Sequence, residues 1–227
     1  VQTCALPIFQ DIPDGTVCAA VRHTSSTFLE VELKGKTCHA ARPHLGCSVV
    51  EAAVLATNAV NAIWMNPGKV WSAKVTAINC CGSASNIIPD HGKMILDCRA
   101  QDNPTMKEML DKIKRAILNA AEAVGVEATV NFPGGIIPAA EYDEGLVAET
   151  AGIIKEVLGD DKLAKDCGGG GEDFHYFVQK KPSIRTAYIG VGAGVTPGLH
   201  DPKMTMNPES LRNGVAVLEK MVLNQVG

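Results

Sequence analysis

The sequence is poor in aromatic residues and lacks the patterns of membrane and nucleic-acid-binding proteins. Aromatic side chains make up only 4% of its 227 residues, although hydrophobic residues make up 46%, so a core has to consist mainly of Val, Ile, Leu, Ala and Met. No run of about 18 apolar residues suggests a membrane-spanning helix. The 21 basic and 25 acidic residues are well mixed and give a net charge of −4. Without a basic stripe, we expect no nucleic-acid partner.

The eight cysteines have neither CxxC pairs nor zinc-finger spacing. Disulfide frameworks are typical of small secreted domains, so we predict free thiols in a protein of the reducing cytoplasm. The alternatives are a disulfide framework and a structural zinc site made by cysteines, and the scattered spacing disfavours the zinc site.

The first eight residues, VQTCALPI, do not resemble the start of a protein. They lack an initiator Met, and they resemble the translation of a common sequencing adapter. An ordinary short apolar strand is the alternative. We therefore expect residues 1–8 to be an artefact, Cys4 to have no function, and the gene to continue upstream of Phe9.

Between Phe28 and Phe132 the hydrophobic pattern predicts the order β-α-β-β-α-β of a ferredoxin-like fold. Four segments have the pattern of strands, and they are Phe28–Gly35, Val70–Cys81, Gly92–Arg99 and Val126–Phe132. In the second strand, one side would carry Trp71, Ala73, Val75 and Ala77.

Two helices are predicted between these strands. The first has Ser48 at its start and Glu51 three positions later, as in a capping box, and one stripe of it carries Val50, Val54, Thr57, Asn61 and Trp64. The second opens at Asn103-Pro104 and is closed by Gly125. Its apolar positions recur at helical spacing, and they are Met106, Met109, Leu110, Ile113, Ile117, Ala120 and Val124.

Beyond Pro138 the pattern changes to alternating helices and strands, which is typical of an α/β domain with a mostly parallel sheet. The predicted helices are Asp143–Leu158, one from Asp173 to Val178 and one capped by Asn207-Pro208. The predicted strands are Leu163–Cys167 and Thr186–Val191. The last helix would bury a stripe of Leu211, Val215, Leu218 and Val222.

Four turn segments concentrate polar residues, and they are residues 35–46, residues 83–89 with Arg99, residues 168–175 and residues 197–202. Four glycines before a helix allow backbone N–H groups to converge on an anion. The alternative is a tight strand-to-helix turn with Asp173 as the cap. His200 lies in a loop where a ring nitrogen can reach a metal ion, but a single loop His is usually solvated. His39, Asn86 and Arg99 are ambiguous by themselves.

Taken together and in this order, the segments resemble the zinc-dependent aminoacylase and carboxypeptidase family of metallopeptidases, and most closely its amidohydrolase branch of N-acyl-amino-acid amidohydrolases. The likeness runs from about Ile12 to the C-terminus. Its motifs are DIPDG, KGKTCHAARPHLG, SNIIP, DCRA, GGEDF and PGLHDP. Cys38 and Cys81 depart from it, because family members often have Gly at those two positions.

The resemblance implies a catalytic α/β domain with a ferredoxin-like lid inserted into it. Residues 9–26 would be a remnant of the catalytic domain, residues 27–136 the lid and residues 137–227 the C-terminal part of the catalytic domain. The implied reaction is hydrolysis of the amide bond of N-acyl amino acids, or related conjugates, that carry a free carboxylate. Two divalent metal ions, zinc or alternatively manganese or cobalt, would polarise the attacking water.

The resemblance also implies roles for particular residues. His200 matches the last metal ligand, whereas the other ligands and the catalytic Glu would belong to the absent upstream half, so this chain alone would be inactive. His39 would stabilise the oxyanion in the partner subunit of a homodimer formed through the lid. Asn86 would lie near the substrate, and Arg99 would grip its carboxylate. The floor of the pocket would be formed by Gly170, Gly171, Glu172 and Asp173.

A different class of function is also compatible with this fold. A ferredoxin-like module can bind a small ligand or pair subunits without catalysing a reaction, and a fold alone does not define function. Such a module would not need the glycine-rich segment and His200 to lie at the same site as the lid residues.

Overall fold

The structure, a computed structural model, describes residues 8–199 and 201–226. Residues 1–7 of the suspected artefact and the candidate metal ligand His200 lie outside the described residues. The helices of the described part are α1 (Val49–Asn61), α2 (Asn103–Glu122), α3 (Glu144–Leu158), α4 (Tyr176–Lys180) and α5 (Leu211–Val226). Its strands are β1 (Ile8–Phe9), β2 (Val17–Cys18), β3 (Val21–Arg22), β4 (Ser25–Lys34), β5 (Cys38–His39), β6 (Trp71–Asn79), β7 (Ile87–Ile88), β8 (His91–Ala100), β9 (Glu127–Asn131), β10 (Leu163–Ala164), β11 (Cys167–Gly168) and β12 (Gly190–Gly192).

The chain divides into two compact units. The ferredoxin-like unit contains residues Thr24–Ala139 and the short segment Gly171–Asp173. The α/β unit contains the other described residues. None of the helices in the described part is long and apolar enough to cross a membrane.

The ferredoxin-like unit has the predicted order of elements. Its four long strands form an antiparallel sheet in the order β6-β8-β4-β9, with α1 after β4 and α2 after β8. Strands β4 and β8 pair without a break from Ser25 opposite Ala100 to Lys34 opposite His91. The ferredoxin-like prediction is therefore confirmed.

The core of this unit lies between one face of the sheet and the two helices. Alternate residues of β4 point into it, and α2 contributes the predicted apolar stripe. Ile113 and Ile117, for example, are fully buried, which contributes about 1.5–3 kcal/mol for each side chain. Gly125 ends the α2 region with a φ of 72°, a backbone conformation that glycine adopts without strain.

Helix α1 is rotated away from the predicted stripe. Val50 and Val54 are 42% and 53% exposed, and Trp64 lies beyond the end of the helix. The buried face consists instead of Val49, Ala52, Ala53, Ala56 and Val60. Small alanine side chains allow the helix to pack closely against its neighbours, so the alanine-rich face is the one that turns inward. Ser48 caps the helix as predicted, because its Oγ accepts a hydrogen bond from the Glu51 N–H.

Two further details differ from the prediction. The residue that caps α2 is Asp102, whose carboxylate accepts the Thr105 N–H at 2.8 Å, so Asn103 is already inside the helix. Strand β6 has a bulge between Val75 and Ala77. Because a bulge interrupts the alternation of side chains, Ala77 is exposed and does not share the buried side of Ala73.

The α/β unit has a small sheet in the order β1-β12-β2-β10, in which β1–β12 and β2–β10 are parallel and β12–β2 is antiparallel. Helices α3 and α5 pack together over a core that includes Val17, Ile154 and Val217. The predicted helix at Asp143 is confirmed, with Asp143 as the capping residue. The mixed α/β fold class is confirmed.

Three predictions in this unit are wrong. The predicted strand Leu163–Cys167 is interrupted, since β10 and β11 pair with β2 and β3 in two separate sheets. Helix α5 buries Gly214, Val217 and Met221, whereas Val215 and Val222 are 53% and 58% exposed. One residue turns a helix by about 100°, so a choice between adjacent apolar stripes needs the packing partner. The predicted strand Thr186–Val191 forms only over Gly190–Gly192, although its apolar residues Tyr188 and Ile189 are buried as expected.

Candidate functional site

His39 lies on the short strand β5 of the ferredoxin-like unit. This strand pairs with β7, with His39 opposite Ile87 and Cys38 opposite Ile88. The pairing places His39 beside Asn86, with 3.4 Å between the His39 Nε2 and the Asn86 Nδ2 atoms. Both side chains are exposed. Two residues that the sequence places 47 positions apart are thus brought together.

The hydrogen bonds of His39 define which of its ring nitrogens can donate. Its Nδ1 atom accepts the backbone N–H of Ala41 at 3.1 Å, so in the neutral ring the proton resides on Nε2. The Asn86 amide nitrogen lies 3.4 Å from this Nε2 atom, at the long end of hydrogen-bond distances, so the Nε2–H group is not engaged in a short hydrogen bond. His39 therefore presents an exposed N–H donor, the kind of group that can stabilise a developing negative charge.

Arg99 lies on β8, on the face of the sheet opposite the helices. Its Nε and Nη2 atoms donate to the two carboxylate oxygens of Asp97 at 2.9 and 3.1 Å. These hydrogen bonds and the charge of Asp97 raise the pKa of Arg99. The Arg99 side chain is 51% exposed. The outer edge of its guanidinium, formed by Nη1 and the second hydrogen of Nη2, is geometrically suited to a second carboxylate. Asp97 thus fixes the plane of the guanidinium.

The glycine-rich segment approaches the same face of the sheet. Ser26 and Ser72 lie directly opposite Arg99 on the neighbouring strands, so the three side chains share a face. A Cβ atom at Gly171 would lie 2.7 Å from the Ser26 Oγ atom. Only glycine permits this approach without a shift of Ser26, and the segment Gly171–Asp173 therefore lies next to the row that contains Arg99.

The glycines before this segment have conformations that require glycine. Gly169 and Gly170 have φ values of 110° and 69°, which L side chains rarely adopt. Asp173 begins a short 3-10 turn, Asp173–His175, which leads into α4. Helix α4 has only five residues, so the alternative of a tight turn describes the glycine run better than a helix-terminal anion site.

No three His, Cys, Asp or Glu side chains among residues 8–199 and 201–226 are close enough to hold a metal ion. His200, the candidate ligand, lies outside the described residues. The described side chains thus do not fit a dinuclear metal centre, and no chemical step through a metal can be derived from their geometry.

The α/β unit contains a buried pair of histidines. His175 belongs to the polar segment 168–175, but nothing in the sequence indicated its pairing with His23. His23 and His175 are 4% and 2% exposed, and the His23 Nδ1 and His175 Nε2 atoms are 2.9 Å apart. Burial lowers the pKa of each ring to about 4, and the charge of His23 adds to the effect on His175. The two residues are 152 positions apart, and no spacing rule relates them.

The protein belongs to the peptidase family M20/M25/M40, whose sequence pattern matches residues 12–224. This match confirms the resemblance found in the sequence motifs. Among curated proteins, the chain is 27% identical over 226 residues to an N-acetyldiaminopimelate deacetylase of Bacillus velezensis, and the alignment covers 94% of this chain and 57% of that enzyme. The chain thus spans a little over half the length of this curated relative.

Solved structures share the fold. A putative aminohydrolase from methicillin-resistant Staphylococcus aureus matches with a TM-score of 0.82 and 22% identity, over 97% of this chain and 58% of that one. A dinuclear metal-binding peptidase of the M20 family from Bacillus subtilis matches with a TM-score of 0.70 and 20% identity, over 96% and 56% of the two chains. At these identities the likeness establishes the fold alone.

Proposed function

We propose that the protein provides the lid and part of the catalytic domain of a metal-dependent amidohydrolase. Its substrates are N-acyl amino acids or related conjugates that carry a free carboxylate. Family membership supports the reaction class, and a relative is named as a deacetylase of an N-acetylated amino acid. The observation that carries the substrate class is Arg99, whose oriented guanidinium has an edge suited to a second carboxylate.

Each candidate site residue has a defined part in this proposal. Arg99 binds the substrate carboxylate with its outer edge, while Asp97 keeps the guanidinium plane in place. His39 donates its Nε2–H to the carbonyl oxygen of the scissile amide as negative charge develops there. Asn86 lies beside His39 and near the substrate, and the segment Gly170–Asp173 forms the floor of the pocket.

The proposed oligomer is a homodimer in which His39 acts on the substrate of the partner subunit. Strand β6 is an edge of the sheet, and an exposed edge can pair with a second copy. Apolar side chains that α1 and β6 expose support an interface there, and they are Val50, Val54, Leu55 and Ile78. His200 would bind one of two divalent metal ions in the intact enzyme.

The substrate class can be tested by ligand binding to the 227-residue protein. We expect an N-acetyl amino acid to shift the NMR signals around Arg99, and the corresponding N-acetyl amine without a carboxylate to leave them unchanged. Arg99→Lys should weaken binding about tenfold or more, because it loses two charge-assisted hydrogen bonds. Arg115→Lys, a change on the surface of α2, is the matched control. Equal binding of both ligands would refute the role of Arg99.

A further inference from the structure

The glycine-rich loop, residues 168–175, begins beside strand β3. Its first residues belong to β11, which pairs with β3 in parallel, Cys167 opposite Val21 and Gly168 opposite Arg22. A Cβ atom at Gly168 would lie 2.9 Å from the Arg22 backbone oxygen, so the two backbones are in close contact. The N-terminal end of the loop is therefore fixed by backbone pairing to Arg22.

The other end of the loop returns to the residue after Arg22. His175 contacts His23 through the 2.9 Å approach of its Nε2 atom to the His23 Nδ1 atom. Adjacent residues of one segment thus hold both ends of the loop, although the middle of the loop contains two glycines with positive φ. A loop with such freedom in its middle depends strongly on how its ends are anchored.

The surroundings of the pair determine the direction of its hydrogen bond. The His175 Nδ1 atom is buried and has no hydrogen-bond partner among the described residues. If His23 donated, this nitrogen would have to carry a buried N–H without an acceptor, an arrangement that is rare in proteins. If His175 donates through Nε2–H, its Nδ1 is a bare acceptor, which costs less.

We propose that His175 and His23 are positioning residues, and that the bond from the His175 Nε2–H to the His23 Nδ1 fixes the C-terminal end of the glycine-rich loop. Its relevance to substrate binding rests on the proposed function, which places this loop at the floor of the pocket. The anchoring itself is a property of the α/β unit and can be measured without any activity.

The bond requires an unprotonated Nδ1 atom on His23, because a nitrogen that carries a proton cannot accept. Among the described residues, two titratable rings contact the pair: Tyr188, whose centroid is 4.9 Å from that of His23, and Tyr142, whose centroid is 5.6 Å from that of His175. The ion-paired Arg22 lies over Tyr142. The remaining ring neighbours are Phe9 and Phe174. None of these groups supplies a carboxylate to a charged imidazole. Histidine in an unfolded chain titrates at 6.5, whereas the pKa of each ring of the folded pair is about 4. The contribution of the pair to the stability of the fold is therefore complete above pH 6.5 and is lost as the pH falls toward 4.

Hydrogen exchange on the 227-residue protein tests the anchoring. His175→Phe should speed exchange in the peptide spanning Gly168–Asp173 about tenfold, the equivalent of one hydrogen bond. His175→Gln, which places an amide N–H where the Nε2–H lies, should restore protection to near the wild-type level. Peptides from β4 and β8 are the internal reference. Unchanged exchange of the loop in a folded His175→Phe protein would overturn the proposal.

NMR of the wild-type protein tests the same hydrogen bond without any substitution. In protein labelled with ¹⁵N-histidine, we expect two rings that stay neutral at about pH 5.5 and show a nitrogen–nitrogen coupling across their hydrogen bond. Independent titration of both rings near 6.5, without such a coupling, would contradict the bond. Neither experiment depends on Arg99, so a failure here differs from a failure of the proposed function.

Discussion

At the scale of single residues, the cysteines differ in burial. Cys18 and Cys98 are fully buried, and burial raises the pKa of each thiol to about 12. The charge of Cys167 adds to the effect on Cys18, and that of Asp97 to the effect on Cys98. Cys81, by contrast, is exposed. Since the thiolate is the nucleophile, these side chains should differ greatly in reactivity.

We therefore predict that iodoacetamide at mildly alkaline pH modifies Cys81 rapidly and leaves Cys18 and Cys98 unmodified until the protein unfolds. Mass spectrometry of tryptic peptides over time gives the rate for each site, and urea-unfolded protein is the control in which all three should react alike. Modification of Cys98 at the rate of Cys81 in the native protein would show that the sheet of the ferredoxin-like unit does not bury it.

Residues that act through distant partners could not be predicted from the sequence. His175 was part of the polar segment 168–175, but its contact with His23 spans 152 positions and could not be predicted. Arg99 was predicted from the family motif, but its pairing with Asp97 was not. By contrast, Asn86 and His39 were both predicted from their motifs, and strand pairing between β5 and β7 explains why they meet.

At the scale of elements, local signals predicted the long helices and the four long strands of the ferredoxin-like unit better than the short strands of the α/β unit. The caps Ser48 and Asp143 at the starts of α1 and α3 were predicted correctly. A cap can be read from local sequence because it involves residues only three positions apart. The predictions of the buried faces of α1 and α5 were wrong. In each helix two adjacent stripes are apolar, and only the packing partner determines which one is buried. The short strands of the α/β unit depend on long-range pairing, so the apolar run at Thr186–Val191 could not define its own bounds.

We expect the Asp102 cap of α2 to contribute to the stability of the fold. Asp102 accepts hydrogen bonds from Thr105, Lys69 and Gln101. Partial burial opposes its ionisation, but these three hydrogen bonds outweigh that effect and lower its pKa. Asp102→Ala should lower the free energy of unfolding by about 1 kcal/mol, measured by urea denaturation at neutral pH.

Two control variants distinguish the loss of the cap from the loss of a surface carboxylate. Asp111→Ala removes an exposed carboxylate paired with Lys107 on the same helix and should cost less than about 0.5 kcal/mol. Asp102→Asn keeps a capping oxygen and should cost less than Asp102→Ala. If Asp102→Ala were no more harmful than Asp111→Ala, the cap would not contribute to stability.

At the scale of the whole molecule, the proposed homodimer depends on the exposed apolar face of α1. Val54 is 53% exposed there, and Val215 on α5 is 53% exposed as well. We predict that Val54→Asp weakens dimerisation at least about tenfold, since a charge would be buried at the interface. Val215→Asp, in the other unit, should leave the association unchanged. Sedimentation equilibrium measures both, and a monomeric wild-type protein would refute the interface.

The chain spans 57% of the length of the deacetylase relative. We expect the 227-residue polypeptide by itself to show no amidase activity and only weak zinc binding. Isothermal titration with zinc and a ninhydrin assay on N-acetyl amino acids measure the two properties. Two tightly bound zinc ions per chain would contradict the expectation, because this chain would then have to supply several metal ligands besides His200.

A crystal structure of the protein grown with zinc and an N-acetyl amino acid would test the proposed site as a whole. We expect the ligand carboxylate on the outer edge of Arg99, the acyl carbonyl near His39 of the partner subunit, and a cation beside His200. A ligand bound elsewhere, with Arg99 and His39 on unrelated surfaces and no cation at His200, would contradict the proposed function.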